Sequence, residues 1–183
     1  GKVQGPKLRA AIRSLRLATL APHVATGGII KKIDQSKVPI LTEEAKAGIA
    51  EKLDDPQQAF DVWKLVSQIE QECVYPDGFG SARGQKDFTK WGGDSGEVSF
   101  CLSLMSRING ILSSSSFECV FKSKAPALTE KISSFVSNED RLLRICLSGV
   151  AFEFKAREIV ANVIGRHLLN MARNGAFKSR PVV

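Results

Sequence analysis

Residues 142–183 read LLRICLSGVAFEFKAREIVANVIGRHLLNMARNGAFKSRPVV, and this stretch decides the predicted fold. The apolar run at residues 142–148 has the length of a buried strand. An apolar stripe at helical spacing follows at residues 156–171, and Gly175 is a typical helix stop. Residues 180–183 then begin a further apolar run. This alternation of strand and helix is typical of a parallel sheet with helical crossovers.

The preceding residues extend the same alternation. Residues 117–121 are predicted to form another strand, and residues 128–136 another helix. The predicted fold class is therefore α/β, with a partial parallel sheet. Parallel strands are covered on both faces, and a last strand that begins and ends within residues 180–183 cannot provide this. We therefore expect the chain to be part of a larger protein whose active site lies elsewhere.

The N-terminal part of the chain has a different pattern. One helical face collects four apolar residues, namely Leu8, Ala11, Ile12 and Leu15. Further segments with helical spacing of apolar residues follow as far as residue 75. Residues 76–96 are rich in glycine and are predicted to form a long loop, of the kind that is usually functional or mobile. We divide the chain into a helical bundle at residues 1–75, a glycine-rich loop at residues 76–96 and a partial sheet core at residues 97–183.

Composition limits the classes of function. The 183 residues include 43% hydrophobic and 25% charged residues, which is ordinary for a globular protein, and no apolar run has the length of a membrane span. We expect a cytoplasmic protein without contact to membranes. The net charge of +7 allows an anionic partner such as nucleic acid. The four cysteines lack a C-x-x-C spacing and only two histidines are present, so we expect buried free thiols and no metal site.

Several short segments of the sequence resemble HerA-type ATPases, the DNA-translocating branch of the HerA/FtsK group of P-loop motors. They are ICLSGV at residues 145–150, ANVIGRHLLNMAR at residues 161–173 and RPVV at residues 180–183. In that family an apolar strand with a Leu-Ser-Gly-like turn precedes a long helix. A basic residue and a proline then lead into the strand that carries the acidic Walker B pair. SRING at residues 106–110 and PKLRAAIR at residues 6–13 also resemble segments that lie ahead of these elements.

This resemblance implies a partial RecA-like parallel sheet preceded by a helical bundle insertion. It implies an ATP-driven DNA translocase or helicase that forms a hexameric ring and works with a nuclease or a defence effector. ATP and Mg²⁺ would be its cofactors. The sequence departs from the family because no Gly-Lys-Ser/Thr triplet is present, and the Walker B acids would follow Val183. We therefore expect the full-length protein to hydrolyse ATP and these residues alone to be inactive, with no catalytic, cofactor-binding or metal-binding residue among them.

Two sets of arginines are the candidate site residues. Arg9, Arg13 and Arg16 share a helical face and could contact DNA phosphates. The alternatives are a solvated helix face and an inter-subunit contact. The resemblance to ring motors implies a subunit interface for a second set, Arg157, Arg166 and Arg173, which could face a neighbouring subunit or its nucleotide. The alternative for this set is a crossover helix with a basic exposed edge.

A different class of function remains open beside the motor. The chain could be a non-catalytic scaffold module whose basic helical bundle recruits DNA or a protein. The two hypotheses differ in one observable, because only the motor requires a P-loop before Gly1 and an Asp-Glu pair after Val183.

Overall fold

The structure is a computed structural model that describes residues 2–79, 86–117, 127–138, 142–150, 152 and 155–177. The chain divides into two compact units, Gly1–Gly110 and Ile111–Val183. Its described α-helices are α1 (Gln4–Leu20), α2 (Val38–Glu44), α3 (Ala47–Leu53), α4 (Leu65–Glu72), α5 (Val98–Ser113), α6 (Leu128–Ser137) and α7 (Ala156–Arg173).

Helix α1 forms the centre of the first unit. Its buried residues recur at intervals of three and four, so one face packs inward while the other meets solvent. The helix ends where the Ala21 N–H donates to the Leu17 carbonyl at 2.7 Å, directly before Pro22, which has no N–H to continue the ladder. The first core cluster joins α1, α4 and α5 and consists of Ala11, Leu15, Ile29, Leu65, Ile69, Cys73, Cys101 and Met105.

A second core cluster lies at the C-terminal end of α1. It joins that end to α2, α3 and the chain between α1 and α2, through Leu17, Ala18, Ala21, Ile30, Ile40 and Leu53. Complete burial of a leucine or isoleucine side chain stabilises the fold by about 1.5–3 kcal/mol. The fully buried Leu17, Ile30 and Leu53 therefore hold the short helix α3 against α1. Short helices of this length are stable only through such packing.

The glycine-rich segment is anchored by its backbone in the residues that the structure describes. Isolated antiparallel bridges join Ser36 to Lys90 and Val74 to Asp94. The Gly92 N–H donates to the Tyr75 carbonyl at 2.8 Å. A Cβ at Gly92 would lie 2.0 Å from the Phe79 carbonyl oxygen, so only glycine fits where the two backbones meet.

The second unit contains the helices that the apolar periods predict. The prediction for residues 128–136 is confirmed by α6, and the prediction for residues 156–171 is confirmed by α7. Gly175 has a φ of 79°, as expected for a glycine just after a helix end. Ile132 of α6 and Ala156 of α7 are buried in this unit.

The predicted α/β fold with a partial RecA-like parallel sheet is wrong, because the described residues are helical and contain no strand. Residues 142–147 have no regular structure, and the side chain of Leu142 is 86% exposed. Phe117 lies in a short 3-10 helix, Ser115–Phe117, while the rest of the strand predicted at residues 117–121 and the run at residues 180–183 lie outside the described residues. An apolar run signals a need for burial, but periodicity alone does not show that a partner strand is present.

None of the described helices has the length and apolar character needed to cross a membrane.

Candidate functional site

Two of the three arginines of α1 hold α3 in place. Nη1 of Arg13 donates to both carboxylate oxygens of Asp54 at 2.7 Å, and its Nε lies 3.5 Å from a Glu44 carboxylate oxygen. The hydrogen bonds to Asp54 raise the pKa of Arg13 above its ordinary value. Arg16 donates to the Leu53 carbonyl at 2.8 Å, an acceptor that the end of α3 leaves without a helical partner. Arg13 and Arg16 therefore act as ties between α1 and α3.

Arg9 differs from the other two arginines of α1. Its side chain is exposed, and it forms no hydrogen bond or ion pair with the residues that the structure describes. The structure thus places the three arginines on one helix, as their spacing predicts, but leaves one of them with its charge unpaired among those residues. A role for this set in DNA binding stays a prediction.

A buried carboxylate at the end of α4 is the centre of a polar network. Glu72 is only 7% exposed. Its Oε1 accepts hydrogen bonds from Ser14 Oγ at 2.7 Å and from Gln68 Nε2 at 3.0 Å. Its Oε2 lies 2.6 Å from Lys32 Nζ. Because buried charges are stable only when paired and hydrogen-bonded, this network fixes α1, α4 and the Lys32 segment in a single arrangement.

Two glutamines of α4 hold the segment that brings Lys32 to this carboxylate. Gln68 accepts from the Ile30 N–H at 2.8 Å and donates to the Ile30 carbonyl at 3.1 Å. Gln71 accepts from the Lys32 N–H at 3.1 Å. These two side-chain amides hydrogen-bond to backbone groups of the segment, as the backbone of a neighbouring strand would in a sheet.

A cleft of about 360 Å³ opens beside this network. Its polar wall consists of two ion pairs, Lys32 with Glu72 and Lys7 with Glu97, each at 2.6 Å. Its apolar wall includes Trp91, whose ring centroid lies 5.0 Å from Lys32 Nζ, a cation–π contact. Lys7 also donates to the Glu72 carbonyl oxygen at 2.6 Å and lowers the pKa of Glu97 through its hydrogen bond. Each charge of the cleft already has a partner in the protein.

In the second unit, Arg157 organises the turn before α7. Its guanidinium donates to the carbonyl oxygens of Val150 at 2.5 Å and Ser148 at 3.2 Å. It also lies over the Phe152 ring, 3.7 Å from the centroid. Arg157 therefore links the turn at residues 148–150 to the first turn of α7.

The other two arginines of this set lie along an exposed line of α7. Exposed residues recur at intervals of four, three, four and three along the helix, at Ile159, Val163, Arg166, Asn170 and Arg173. Positions with this spacing share one helix face. We call these five residues the α7 strip. It is apolar in its N-terminal half and basic in its C-terminal half.

A neighbouring face of α7 packs within the second unit. His167 and Met171 of α7 are half-buried, and both lie close to Ser133 of α6. Ser133 Oγ is 3.1 Å from His167 Nε2 and 4.0 Å from Met171 Sδ. This face therefore has its partner in the unit, whereas the α7 strip has none among the described residues.

Two thiol environments contrast with each other. Cys146 is exposed, and its hydrogen bonds with the hydroxyl and the backbone of Ser148, with a smaller effect of Arg157, lower its pKa. Cys73 is buried next to Cys101, and burial followed by this neighbour raises the pKa of Cys73 to about 12. The sequence predicts four buried free thiols, which holds for Cys73 and Cys101 but not for Cys146, while Cys119 lies outside the described residues.

The sequence contains one signal of the buried network, in the pattern of α4. Leu65, Gln68, Ile69 and Glu72 follow the spacing of one helix face, so a glutamine and a glutamate occupy positions of the apolar stripe. A polar residue at such a position requires a buried partner. The partners themselves, Ser14 and Lys32, come from distant segments and no local pattern names them.

The described residues contain no cluster of three or more histidine, cysteine, aspartate or glutamate side chains that could hold a metal ion. No protein-family model matches the chain, and the curated proteins and the solved structures also contain no match.

Proposed function

We propose that these residues are a non-catalytic part of a HerA-type, ATP-driven DNA translocase of the cytoplasm, and that the α7 strip contacts a neighbouring subunit. Two things support the proposal. One is the likeness of residues 161–173 to that family. The other is the exposed, mixed apolar and basic strip on the helix that carries this likeness.

The α7 strip is the observation that carries the proposal. Ile159 is 45% exposed and Val163 is 51% exposed, one turn apart on the same face. Arg166 and Arg173 continue the line and form no ion pair with the described residues. Apolar side chains beside arginines are the composition that protein interfaces favour, since arginine combines a charge with a large contact area.

A second copy of the chain is the occupant that charge favours. The surface of α3 and the residues after it expose Glu51 and Asp55, which offer acidic partners to the arginines of the strip. A contact between two different surfaces of identical subunits is heterologous, and it closes into a ring when the rotation between subunits is suitable. A hexameric ring is the assembly we propose, with DNA and a nuclease or defence effector as its partners.

In this proposal, ATP and Mg²⁺ bind to elements outside these 183 residues. The experiment measures ATP hydrolysis, with and without duplex DNA, by the product of the whole reading frame that contains this segment. We expect DNA-stimulated hydrolysis, with a Gly-Lys-Ser/Thr loop encoded before Gly1 and an Asp-Glu pair after Val183. A reading frame that encodes neither motif would overturn the motor.

The role of the strip is tested in the same assay with matched variants. The double variant Arg166→Glu, Arg173→Glu is expected to lower hydrolysis at least tenfold and to weaken assembly. The double variant Arg107→Glu, Lys131→Glu makes the same charge change at exposed positions of α5 and α6 and serves as the control. Equal activity of the two double variants would contradict the subunit contact, even if the protein hydrolyses ATP.

A binding module without catalysis is the second candidate, and the exposed Arg9 favours it. This function requires that the chain itself bind duplex DNA. We expect Arg9→Ala to weaken the binding of a labelled 20-base-pair duplex and to reduce its salt dependence, since each phosphate contact contributes to that slope. Lys52→Ala, an exposed change on α3, is the control. Binding that is the same for both variants would exclude Arg9 from a DNA contact.

A further inference from the structure

The cleft of the first unit keeps unused hydrogen-bonding groups beside its ion pairs. Lys7 Nζ donates to Glu97 Oε2 and to the Glu72 carbonyl oxygen, each at 2.6 Å. An ammonium group has three N–H donors, so one donor of Lys7 has no acceptor among the described residues. Glu97 Oε2 accepts from Lys7 and from the Ser95 hydroxyl, whereas Glu97 Oε1 accepts nothing from the same part of the chain. A spare donor and a spare acceptor therefore lie side by side on the Lys7–Glu97 pair.

The second ammonium group of the cleft also has donors to spare. Lys32 Nζ makes one hydrogen bond within the described ranges, to Glu72 Oε2. The side chains of Lys7 and Lys32 are only 19% and 12% exposed, so little bulk water reaches these donors. A polar group that is withdrawn from water and lacks a partner costs free energy, which a ligand with matching groups recovers.

The charges of the cleft favour a ligand without net charge. Two lysines and two glutamates line it, so their charges add up to zero. The hydrogen bond from Lys7 lowers the pKa of Glu97, which therefore stays ionised at neutral pH. A charged ligand would bring one uncompensated charge into this balanced set, whereas a neutral ligand avoids that cost. The volume of about 360 Å³ lies in the range of small-molecule pockets.

We propose that this cleft binds a small, neutral, planar cyclic amide of the kind found in oxo-nucleobases. The carbonyl oxygen of the ligand accepts from the spare N–H of Lys7, and its ring N–H donates to Glu97 Oε1. The ring lies against the apolar wall that Val74, Pro76 and Trp91 provide. A cyclic amide has its C=O and N–H on the same edge, whereas a trans peptide bond has them on opposite edges. The inference is independent of the proposed motor, whose nucleotide binds to elements outside these residues.

Uridine is the probe for this site, because it is neutral, water-soluble and contains a cyclic amide. N3-methyluridine is its matched control, since it keeps both ring carbonyls and lacks the ring N–H. NMR spectra of the 183-residue chain follow the indole N–H signals of its two tryptophans, which the variant Trp63→Phe assigns. We expect a saturable shift of the Trp91 signal with a Kd of about 1 mM or lower, as for a ligand of this size. Trp63 is not part of the cleft wall and its signal should stay in place.

The loss of the ring N–H and the loss of its acceptor should have similar effects. We expect N3-methyluridine to bind at least tenfold more weakly than uridine, because Glu97 then has no donor to pair with. Glu97→Gln replaces the spare acceptor by an amide of the same length and should weaken uridine binding to a similar extent. Glu70→Gln makes the same change at an exposed position of α4 and is the control. The comparison of the two nucleosides uses the unchanged protein, so it decides the matter even if Glu97→Gln does not fold.

A uridine trinucleotide distinguishes the two sources of such a base. A Kd equal to that of uridine identifies the free nucleoside, and a lower Kd identifies a base within a single strand; the cyclic amide is the bound group in both cases.

Three outcomes would overturn the proposal. The first is a Trp91 signal that does not move at uridine concentrations far above the expected Kd. The second is equal affinity for uridine and N3-methyluridine, which would reduce the site to apolar contact. The third is tighter binding of benzoate than of uridine, which would identify a site for anions instead.

Discussion

Replacement of Glu72 by alanine removes the acceptor on which the buried network converges. The change leaves the Lys32 ammonium group, only 12% exposed at its side chain, without its partner at 2.6 Å. It also leaves the Ser14 hydroxyl and the Gln68 amide without the acceptor that they now share. No other described carboxylate lies within ion-pair distance of Lys32.

The magnitude follows from the burial of the pair. Removal of one partner of a buried ion pair destabilises a protein by roughly 3–5 kcal/mol, because the other charge stays buried without compensation. Each neutral donor left without a partner costs a further 1–3 kcal/mol or so, although such costs are not additive. Because a domain has about 5–15 kcal/mol of stability in total, we expect Glu72→Ala to lose at least about 3 kcal/mol in the free energy of unfolding.

Urea unfolding at pH 7, followed by far-ultraviolet circular dichroism, measures this loss. Glu70→Ala is a matched control, since Glu70 is an exposed residue of the same helix. We expect its effect to stay within about 0.5 kcal/mol, as for most surface substitutions. If both variants lost the same amount, or if Glu72→Ala lost less than about 1 kcal/mol, the reasoning about the buried network would be refuted.

Three further predictions test other parts of the structure. Gly92→Ala would place a Cβ 2.0 Å from the Phe79 carbonyl oxygen, and we expect it to lower the free energy of unfolding in urea by several kcal/mol, on the order of known strain costs. A Cβ at Gly48 would meet nothing within 4 Å, so Gly48→Ala should not destabilise the protein. The pKa of Glu97 lies below its ordinary value of 4.5, so its contribution to stability is present above pH 4.5 and is lost as the pH falls through the lowered pKa. In Glu97→Gln the free energy of unfolding should therefore depend less on pH in this acidic range. The lowered pKa of Cys146 predicts that iodoacetamide labels it first among the described cysteines of the folded chain, and that its labelling rate levels off at a lower pH than that of a free thiol. A slower reaction than free cysteine at every pH would contradict this.

Local patterns predicted the helices but not their partners. Apolar residues at helical spacing identified α1, α6 and α7, because a helix needs only a stripe and suitable ends. The strand predicted at residues 142–148 is wrong. A strand requires a neighbouring strand to pair with, and residues 142–147 have none among the described residues. The glycines of residues 76–96 predict a long loop, of which residues 80–85 lie outside the described residues, but the anchoring through Gly92 depends on the Tyr75 and Phe79 backbones.

At the candidate site, too, local spacing predicts the face of the helix but not the partners of its side chains. The spacing of Arg13 and Arg16 placed them on one face, but their roles come from Asp54 and the end of α3, which only the tertiary structure brings near. Glu72 could have been singled out from the sequence as a charge at a core position of α4. Its partners could not, because the network joins segments that are separated by many residues along the chain.

The central claim is that the α7 strip holds neighbouring subunits together, and native mass spectrometry of the whole reading-frame product tests it most directly. We expect a six-copy assembly for the unchanged protein and smaller species for Arg166→Glu, Arg173→Glu at the same concentration. A monomer in both cases, or the same assembly in both, would contradict the account.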